Sequence, residues 1–367
     1  MGVARIAAPV LANSPKDKSR KVIMRDVLDK LDQWRESNQE IAVITVVETW
    51  GSAPRPVGSK MVTTMTGGIA GSVSAGCVEG AVIEEAQSVI KSGKPRLIEF
   101  GVADETAWEV GLACGGKIKV FIEPGLALDG IYDTLKDTLT SGKTFTTVTI
   151  LEGGMDTTNK KMLIQSDGNI VGDLSLPEET EFNTEEALEF LENEKSGMLS
   201  FPDGTKAFVE SYPLPSKLII IGAVHLSDPL ITIANAAGFE TILIDPREAF
   251  ANRERFPHVN NLIRQWPQDA LSNLTIDRSA YIVVLTHDPK LDDPALLFSL
   301  KSNARYVGAL GSRRTNQKRV ERLRKAGLTE EELSLLHAPI GLELGGRLQS
   351  EIAISIMAEI IQVKNHE

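Results

Sequence analysis

Hydrophobic spacing divides the chain into two regimes that meet near Pro213 and Pro215. In the first regime helical and strand periods are mixed. Val22, Ile23, Val27, Leu28, Leu31 and Trp34 recur at the spacing of one helix face and predict a helix over 22–34. Ile41 to Glu48 is β-branched and almost continuously apolar, the pattern of a buried strand. Met61 to Met65 and Ile69 to Val73 flank Thr66-Gly67-Gly68 and predict a hairpin, because glycine takes positive φ without steric cost. A helix follows over 78–91, with Val78, Val82, Ala86 and Val89 on one face and Gly93 past its end. Lys117 to Ile122 reads as a strand, 131–139 as a helix, and Thr146 to Leu151 as an alternating strand. Asp167-Gly168 reads as a turn between strands over 162–165 and 170–173. The acidic run Glu178 to Glu194 fits a solvated helix face or loop better than a partner-binding tail.

Beyond the prolines, strands alternate with helices. Strands are expected at Lys217 to Ile221, Thr241 to Asp245, Tyr281 to Thr286 and Arg305 to Leu310; helices at Ser227 to Ala237 and Arg314 to Lys325. That spacing predicts a doubly wound parallel sheet. A closing helix over 348–363 should bury Ile352, Ile356, Ile360 and Ile361. The expected class is therefore α/β: a flexible arm over 1–20, an α+β domain over 21–212, and a Rossmann-like doubly wound domain over 217–367.

A chain of 367 residues exceeds one typical core, in keeping with two domains. Its net charge of −11 repels nucleic acid and anionic lipid over most of the surface. No stretch approaches the roughly 20 apolar residues of a membrane span. Lys16, Lys18, Arg20 and Lys21 follow the weakly apolar first segment instead of preceding it, which does not match a secretory signal. Two cysteines supply no disulfide framework and point to a reducing, cytoplasmic setting.

Both cysteines sit among glycines, in Gly76-Cys77-Val78-Glu79-Gly80 and Ala113-Cys114-Gly115-Gly116. Gly76, Gly115 and Gly116 carry no side chain to shield the sulfur, so a ligand can approach each thiol. The ordinary alternative is a pair of buried packing cysteines. Cys77 falls at the start of the predicted helix, where unpaired amides and the helix dipole favour a thiolate and attract an oxyanion. A proline-rich loop, Gly51-Ser52-Ala53-Pro54-Arg55-Pro56-Val57-Gly58-Ser59-Lys60, precedes the hairpin and carries Arg55.

In the second regime Gly222-Ala223-Val224-His225-Leu226-Ser227 stands where a dinucleotide fold places its glycine fingerprint, and Asp245 stands where a ribose-binding acid belongs. Val224 and Ser227 occupy the second and third glycine positions, and a β-branched side chain obstructs pyrophosphate there, which argues against NAD(P). Gly308-Ala309-Leu310-Gly311-Ser312-Arg313-Arg314 is either a phosphate seat or an ordinary strand-to-helix turn with solvated arginines. Thr286-His287-Asp288 and Ala338-Pro339-Ile340-Gly341-Leu342 fall at neighbouring loops of the same expected edge. The five histidines show no zinc spacing, and neither a Gly-x-Ser-x-Gly elbow nor a full P-loop occurs.

At these motifs the chain resembles the XdhC/CoxI family, maturation factors for xanthine dehydrogenase and carbon monoxide dehydrogenase. The resemblance covers most of 22–365. It rests on Gly51-Ser52-Ala53-Pro54-Arg55, on the two cysteine motifs, on Gly222-Ala223-x-His225, on Gly308-x-x-Gly311-Ser312-Arg313 and on Ala338-Pro339-Ile340-Gly341-Leu342. It implies a non-catalytic chaperone that binds molybdenum cofactor (molybdopterin), protects it during sulfuration by a cysteine desulfurase, and delivers it to a xanthine dehydrogenase-type molybdoenzyme. It implies Cys77 and Cys114 at the molybdenum or sulfur end, with Arg55, Ser312, Arg313 and Arg314 toward the pterin and phosphate. A homodimer is expected. Val224 replaces a glycine usual in the family, and Leu348-Gln349 stands where the family tends to have Thr-Pro. Gly222, His225, Asp245 and Gly311 are further cofactor-binding candidates, and two other readings are an NAD(P)-dependent oxidoreductase using the Rossmann-like domain with Asp245, and a sulfurtransferase carrying a persulfide on one cysteine.

Overall fold

The structure is a computed structural model that describes residues 24–101, 116–154, 157–177, 180 and 182–366. The expected arm over 1–20, Val22, Ile23 and the stretch 102–115 with Cys114 and Gly115 lie outside the described residues. Two compact units divide the chain after Leu214.

The first unit is built twice from one plan. Helix α1 (Arg25–Glu36), strands β1 (Ile41–Trp50), β2 (Lys60–Thr64) and β3 (Ile69–Gly71), helix α2 (Glu79–Ser92), and strands β4 (Arg96–Gly101) and β5 (Lys117–Pro124) form an antiparallel sheet ordered β3-β2-β1-β5-β4. Helix α3 (Tyr132–Ser141), strands β6 (Phe145–Glu152), β7 (Lys161–Gln165) and β8 (Ile170–Asp173), helix α4 (Thr184–Glu192), and strands β9 (Gly197–Ser200) and β10 (Lys206–Tyr212) repeat that order as β8-β7-β6-β10-β9. The sequence carries the repeat at a constant spacing of 101 residues: Lys60 and Lys161, Met61 and Met162, Gly67 and Gly168, Ile69 and Ile170, Gly71 and Gly172, Ser74 and Ser175. A Cβ on Gly71 would lie 2.2 Å from the Lys60 carbonyl, and one on Gly172 would lie 2.3 Å from that of Lys161. Both positions are closed to any other residue for the same reason.

β1 is buried on both faces, as its apolar run predicts. Ala42, Ile44 and Val46 pack with Val82, Ala86 and Val89 of α2, while Ile41 and Val43 pack with Leu28 and Leu31 of α1. The same cluster holds Leu135 and Leu139 of α3 with Phe145 and Leu163, so the two copies share one core. The acidic run also buries a face, since Ala187 of α4 packs with Val148 and Ile150.

Four charged side chains sit inside this shared core and cross between the copies. Lys60 Nζ lies 2.9 Å from Thr45 Oγ1 in its own copy and 2.8 Å from Glu210 in the other. Lys161 Nζ lies 3.0 Å from Thr149 Oγ1 in its own copy and 2.8 Å from Glu123 in the other. All four line a cavity of about 30 Å³. Burial pushes the Lys161 ammonium below its ordinary pKa, and Glu123 opposes that shift.

The second unit runs β11 (Lys217–Ile221), α5 (Ser227–Ala236), β12 (Glu240–Ile244), β13 (Asn261–Ile263), α6 (Pro267–Ser272), β14 (Ala280–Val284), α7 (Pro289–Ser299), β15 (Tyr306–Ala309), α8 (Arg313–Lys325), α9 (Glu330–Ser334), β16 (Leu336–His337) and α10 (Gln349–His366). All six strands are parallel, in the order β13-β12-β11-β14-β15-β16. This is the doubly wound Rossmann arrangement. One face of the sheet packs on α5 and α10 through Leu230, Ile356 and Ile360; the other takes Leu271, Leu296 and Leu323. Ile361, expected in the core, is 38% exposed, because it lies one residue past the contacting row of Ile356, Met357 and Ile360. The cap absent at Leu348 is supplied from within α10: Glu351 accepts from the Arg347 and Leu348 amides at 2.8 and 3.0 Å.

Glu359 of α10 ties the edge of the sheet together. It accepts from the Tyr306 hydroxyl at 2.6 Å and the Gly341 amide at 2.6 Å, and meets His337 Nδ1 at 3.1 Å. Burial pushes its pKa upward, but the His337, Tyr306 and Gly341 hydrogen bonds outweigh this and hold it below the ordinary 4.5. A depressed folded-state pKa contributes stability that is present above the unfolded value and lost as pH falls through the folded one. Acid unfolding followed by circular dichroism should therefore steepen below pH 4.5 in the wild type and less so in Glu359→Gln. In the first unit, Lys161→Met strands the Glu123 carboxylate and should cost about 3–5 kcal/mol in urea denaturation. A loss under 1 kcal/mol would show that the crossed pairs carry little of the fold.

Candidate functional site

The motifs at 51–60 and 72–80 leave the first sheet at one end, where Gly101 and Gly116, the described residues on either side of 102–115, also lie. Lys117, which opens β5, pairs with Trp50 at the end of β1 and with Gly101 at the end of β4. Lys60, which opens β2, pairs with Thr45, and Gly71 at the end of β3 pairs with Met61. The connections 51–59 and 72–78, and the residues flanking 102–115, thus share an edge. Gly116 is buried there, and a Cβ on it would lie 2.8 Å from the backbone of Ser52 and Ala53. Only glycine lets the chain after Cys114 touch the proline-rich loop. Ala53, Val73, Val78 and Ile118 anchor the motifs in one apolar cluster.

Within this group Arg55 is half-buried, and its Nε is buried without a hydrogen-bond partner among the described residues. The Ser59 hydroxyl is in the same state. Lys60, the loop's last member, belongs instead to the crossed ion pairs.

Cys77 is exposed and lies two residues before α2. The expectation of open amides beside it is corrected by its surroundings. Ser74 Oγ accepts from the Cys77 and Val78 amides at 3.1 and 2.9 Å. Glu79 folds back over the loop and accepts from the Ser72 hydroxyl at 2.7 Å, the Ser74 amide at 3.0 Å, the Gly76 amide at 2.9 Å and the Ser74 hydroxyl. The Ser74, Gly76, Cys77 and Val78 amides ahead of the helix are thus already paired within the chain. Burial would raise the Glu79 pKa, but the Ser74 and Ser72 hydroxyls and the Ser74 amide bring it to about 2. The sequence reading missed Glu79; its signal was an acid at the first helical position beneath a Ser-x-Ser pair.

In the second unit the predicted residues gather at the carboxyl ends of the parallel strands, around the switch point between β11 and β14. Gly222 has φ +111°, and a Cβ on it would lie 2.4 Å from Thr286 Cγ2 across that switch point. Its glycine is required by Thr286. The following loop spends its own donors: the Ala223 amide reaches Asp245 at 2.8 Å, the Val224 amide reaches Ser227 Oγ at 3.3 Å, and that hydroxyl donates to the Gly222 carbonyl at 2.6 Å. Asp245 is buried, and Arg247 grips it through Nε at 2.9 Å and Nη2 at 2.6 Å. Burial opposes and these bonds win, so the Asp245 carboxyl lies below its ordinary pKa. His225 is exposed.

Ser312 spends its hydroxyl capping α8, accepting from the Thr315 amide at 3.2 Å. Arg313 and Arg314 are exposed, Arg313 at 4.0 Å from Glu343. Beneath Gly311 runs a network that sequence spacing does not reveal. Arg319 and Asp292 form a buried pair at 2.8 Å; Arg319 also donates to the Leu310 carbonyl at 3.1 Å, and Asp292 accepts from Thr286 and from the His287 amide. It joins the loop after β14 to the loop after β15. Among the described residues no cluster of three or more His, Cys, Asp or Glu could hold a metal ion.

Comparison with known proteins gives concordant results. A family model described as the XdhC and CoxI family matches residues 34–101, and one described as the XdhC Rossmann domain matches residues 218–360. A probable xanthine dehydrogenase subunit of Bacillus subtilis is 28% identical over 337 residues, covering 91% of this chain and 96% of its own. The molybdenum cofactor insertion chaperone PaoD of Escherichia coli is 26% identical over 332 residues, covering 90% of this chain and 86% of its own. The crystal structure of a xanthine dehydrogenase from Bacillus halodurans superposes with a TM-score of 0.72 at 26% identity, covering 93% of this chain and 96% of that one.

The contact at the switch point has a direct test. Gly222→Ala should destabilise the second unit by about 1–3 kcal/mol in chemical denaturation. Adding Thr286→Ser, which removes the opposing methyl, should recover part of that loss, and no recovery would remove the contact as its cause.

Proposed function

This chain belongs to the XdhC and CoxI family, and on that premise we propose that it is a molybdenum cofactor maturation chaperone. In this reading it holds the cofactor as cargo during sulfuration by a cysteine desulfurase and passes it to a xanthine dehydrogenase-type molybdoenzyme, acting as a cytoplasmic homodimer. The observation that carries the reading is an exposed Cys77 on a loop that shares one sheet end with the proline-rich loop and with Gly116.

The residues there suit such a cargo. A cysteine sulfur is a soft ligand for molybdenum or a carrier of sulfur. Cys114 is assigned the same role, with Gly76, Gly115 and Gly116 leaving room for the approach. Arg55, with a donor unspent among the described residues, suits the cofactor's phosphate. In the second unit the exposed His225, Arg313 and Arg314 remain candidates for the pterin or phosphate. The NAD(P) reading is the weaker one: the Ala223 and Val224 amides and both oxygens of Asp245 already have partners within the chain.

The test is purification from a host that makes molybdenum cofactor, with bound molybdenum and pterin measured for the wild type, Cys77→Ala and Cys114→Ala. Each substitution removes one small side chain, so circular dichroism should stay unchanged while occupancy falls by about tenfold, the equivalent of one lost ligand contact of roughly 1.4 kcal/mol. Full occupancy in both variants rejects the thiol assignment.

A further inference from the structure

The two copies within the first unit provide an internal comparison for the Cys77 loop. In the second copy the loop after β8 is held locally: Asp173 accepts from the Ser175 amide at 2.9 Å and from its hydroxyl at 2.8 Å. Helix α4 there starts on an ordinary cap, Asn183, whose side chain accepts from the Glu185 amide at 2.9 Å. That copy has no cysteine. Among the described residues of that copy, no acid of the helix reaches back to the loop.

The first copy departs from that plan at the loop that carries the thiol. The N-cap position of its helix is Val78, which supplies no side-chain cap. Ala75 and Gly76, immediately before Cys77, hold φ values of +57° and +107°. Alanine rarely adopts that region, and such a residue persists only where its surroundings enforce it. The Ala75 amide is held by Ser72 Oγ at 2.9 Å, Ser72 donates in turn to Glu79, and Glu79 takes the Ser74 and Gly76 amides. Glu79 reaches Cys77 by one further step, since Ser74 donates to Glu79 while accepting from the Cys77 amide. Ser74 is fully buried and Cys77 is exposed, so the relay runs from the interior to the thiol.

We infer that Glu79 is a positioning residue for Cys77, fixing the 72–76 loop through Ser72, Ser74 and Gly76 so that the thiol stands in solvent in one orientation. The inference rests on the reading of Cys77 as a cargo ligand and assigns the control of that ligand to a specific side chain. A fixed sulfur captures a soft metal or sulfur centre without first ordering the loop, and the same sulfur on a mobile loop loses that ordering entropy at each capture.

The test uses the full chain, purified from the cofactor-making host, as a cycle of four proteins: wild type, Glu79→Gln, Cys77→Ala and the double variant. Glu79→Gln keeps the shape of the side chain but replaces one accepting oxygen by an NH2 group, which can donate only, so it can no longer accept from all four donors at once. Hydrogen exchange of the Gly76, Cys77 and Val78 amides should accelerate about tenfold in Glu79→Gln. Retained molybdenum should fall by about tenfold in Glu79→Gln, and the double variant should retain as much as Cys77→Ala alone. Losses that multiply would place the action of Glu79 elsewhere than through Cys77 and overturn the inference. So would normal molybdenum in Glu79→Gln alongside a loss in Cys77→Ala. Full molybdenum in Cys77→Ala overturns the cargo-ligand reading and this inference with it. Thermal midpoints guard against misfolding; if Glu79→Gln fails to fold, Ser72→Ala and Ser74→Ala replace it with the same expected outcomes.

Discussion

Two lysines that reach across a core for carboxylates of the opposite copy set the terms for the first unit. Burying an ion costs several kcal/mol, and the loss is recovered only in good geometry with further hydrogen bonds. Here each ammonium meets a threonine of its own copy and a glutamate of the other. Neither copy can satisfy its charges alone. Register is fixed for the same reason, because a one-residue slip of β2 or β7 would turn Lys60 or Lys161 to the opposite face. The edge that carries the cysteine loop is thus mounted on a sheet whose strands cannot slide.

On that frame the two copies diverge between the third strand and the following helix. Sheet order, the glycines at Gly71 and Gly172 and the buried lysines are held in common. The chain between the third strand and the following helix is not: one copy closes it with a local aspartate, the other with a glutamate from the helix beneath an exposed thiol. The second unit shows comparable economy at its switch point. Gly222 meets a threonine, Ser227 ties the loop to itself and Arg247 covers Asp245. A dinucleotide architecture has its phosphate-facing groups turned inward to each other.

Much of this was legible in the order of residues alone. Long periodic runs such as 41–48 and 217–221 have one physical solution, and the alternation after Pro215 leads to a parallel sheet. Short strands carry no period in three or four residues: β8 is legible through the Asp-Gly turn before it, β9 only through the Pro202-Asp203-Gly204 turn after it, and β13 has no such signal. The site was legible as motifs, since glycine next to cysteine leaves few structural explanations. Its closure was not. Whether Glu79 faces water or folds over its own loop depends on Ser72 and Ser74 being brought above it, and that follows from the β3 to α2 connection in three dimensions. The buried partners Lys60 with Glu210 and Asp292 with Arg319 are likewise far apart along the chain, where spacing rules have no reach.

The halves of the duplicated unit also differ in length after the third strand. Lys60 to Ser74 and Lys161 to Ser175 keep step, but α4 begins at Thr184, four residues later than the beginning of α2 at Glu79 would place it. The extra residues enter the very stretch that, in the other half, is cross-braced from below. A braced connection has a single permitted length, because one more residue would carry the thiol off its support; an unbraced one can grow. The chain thus holds, side by side, a segment constrained by what it must present and a twin released from that duty.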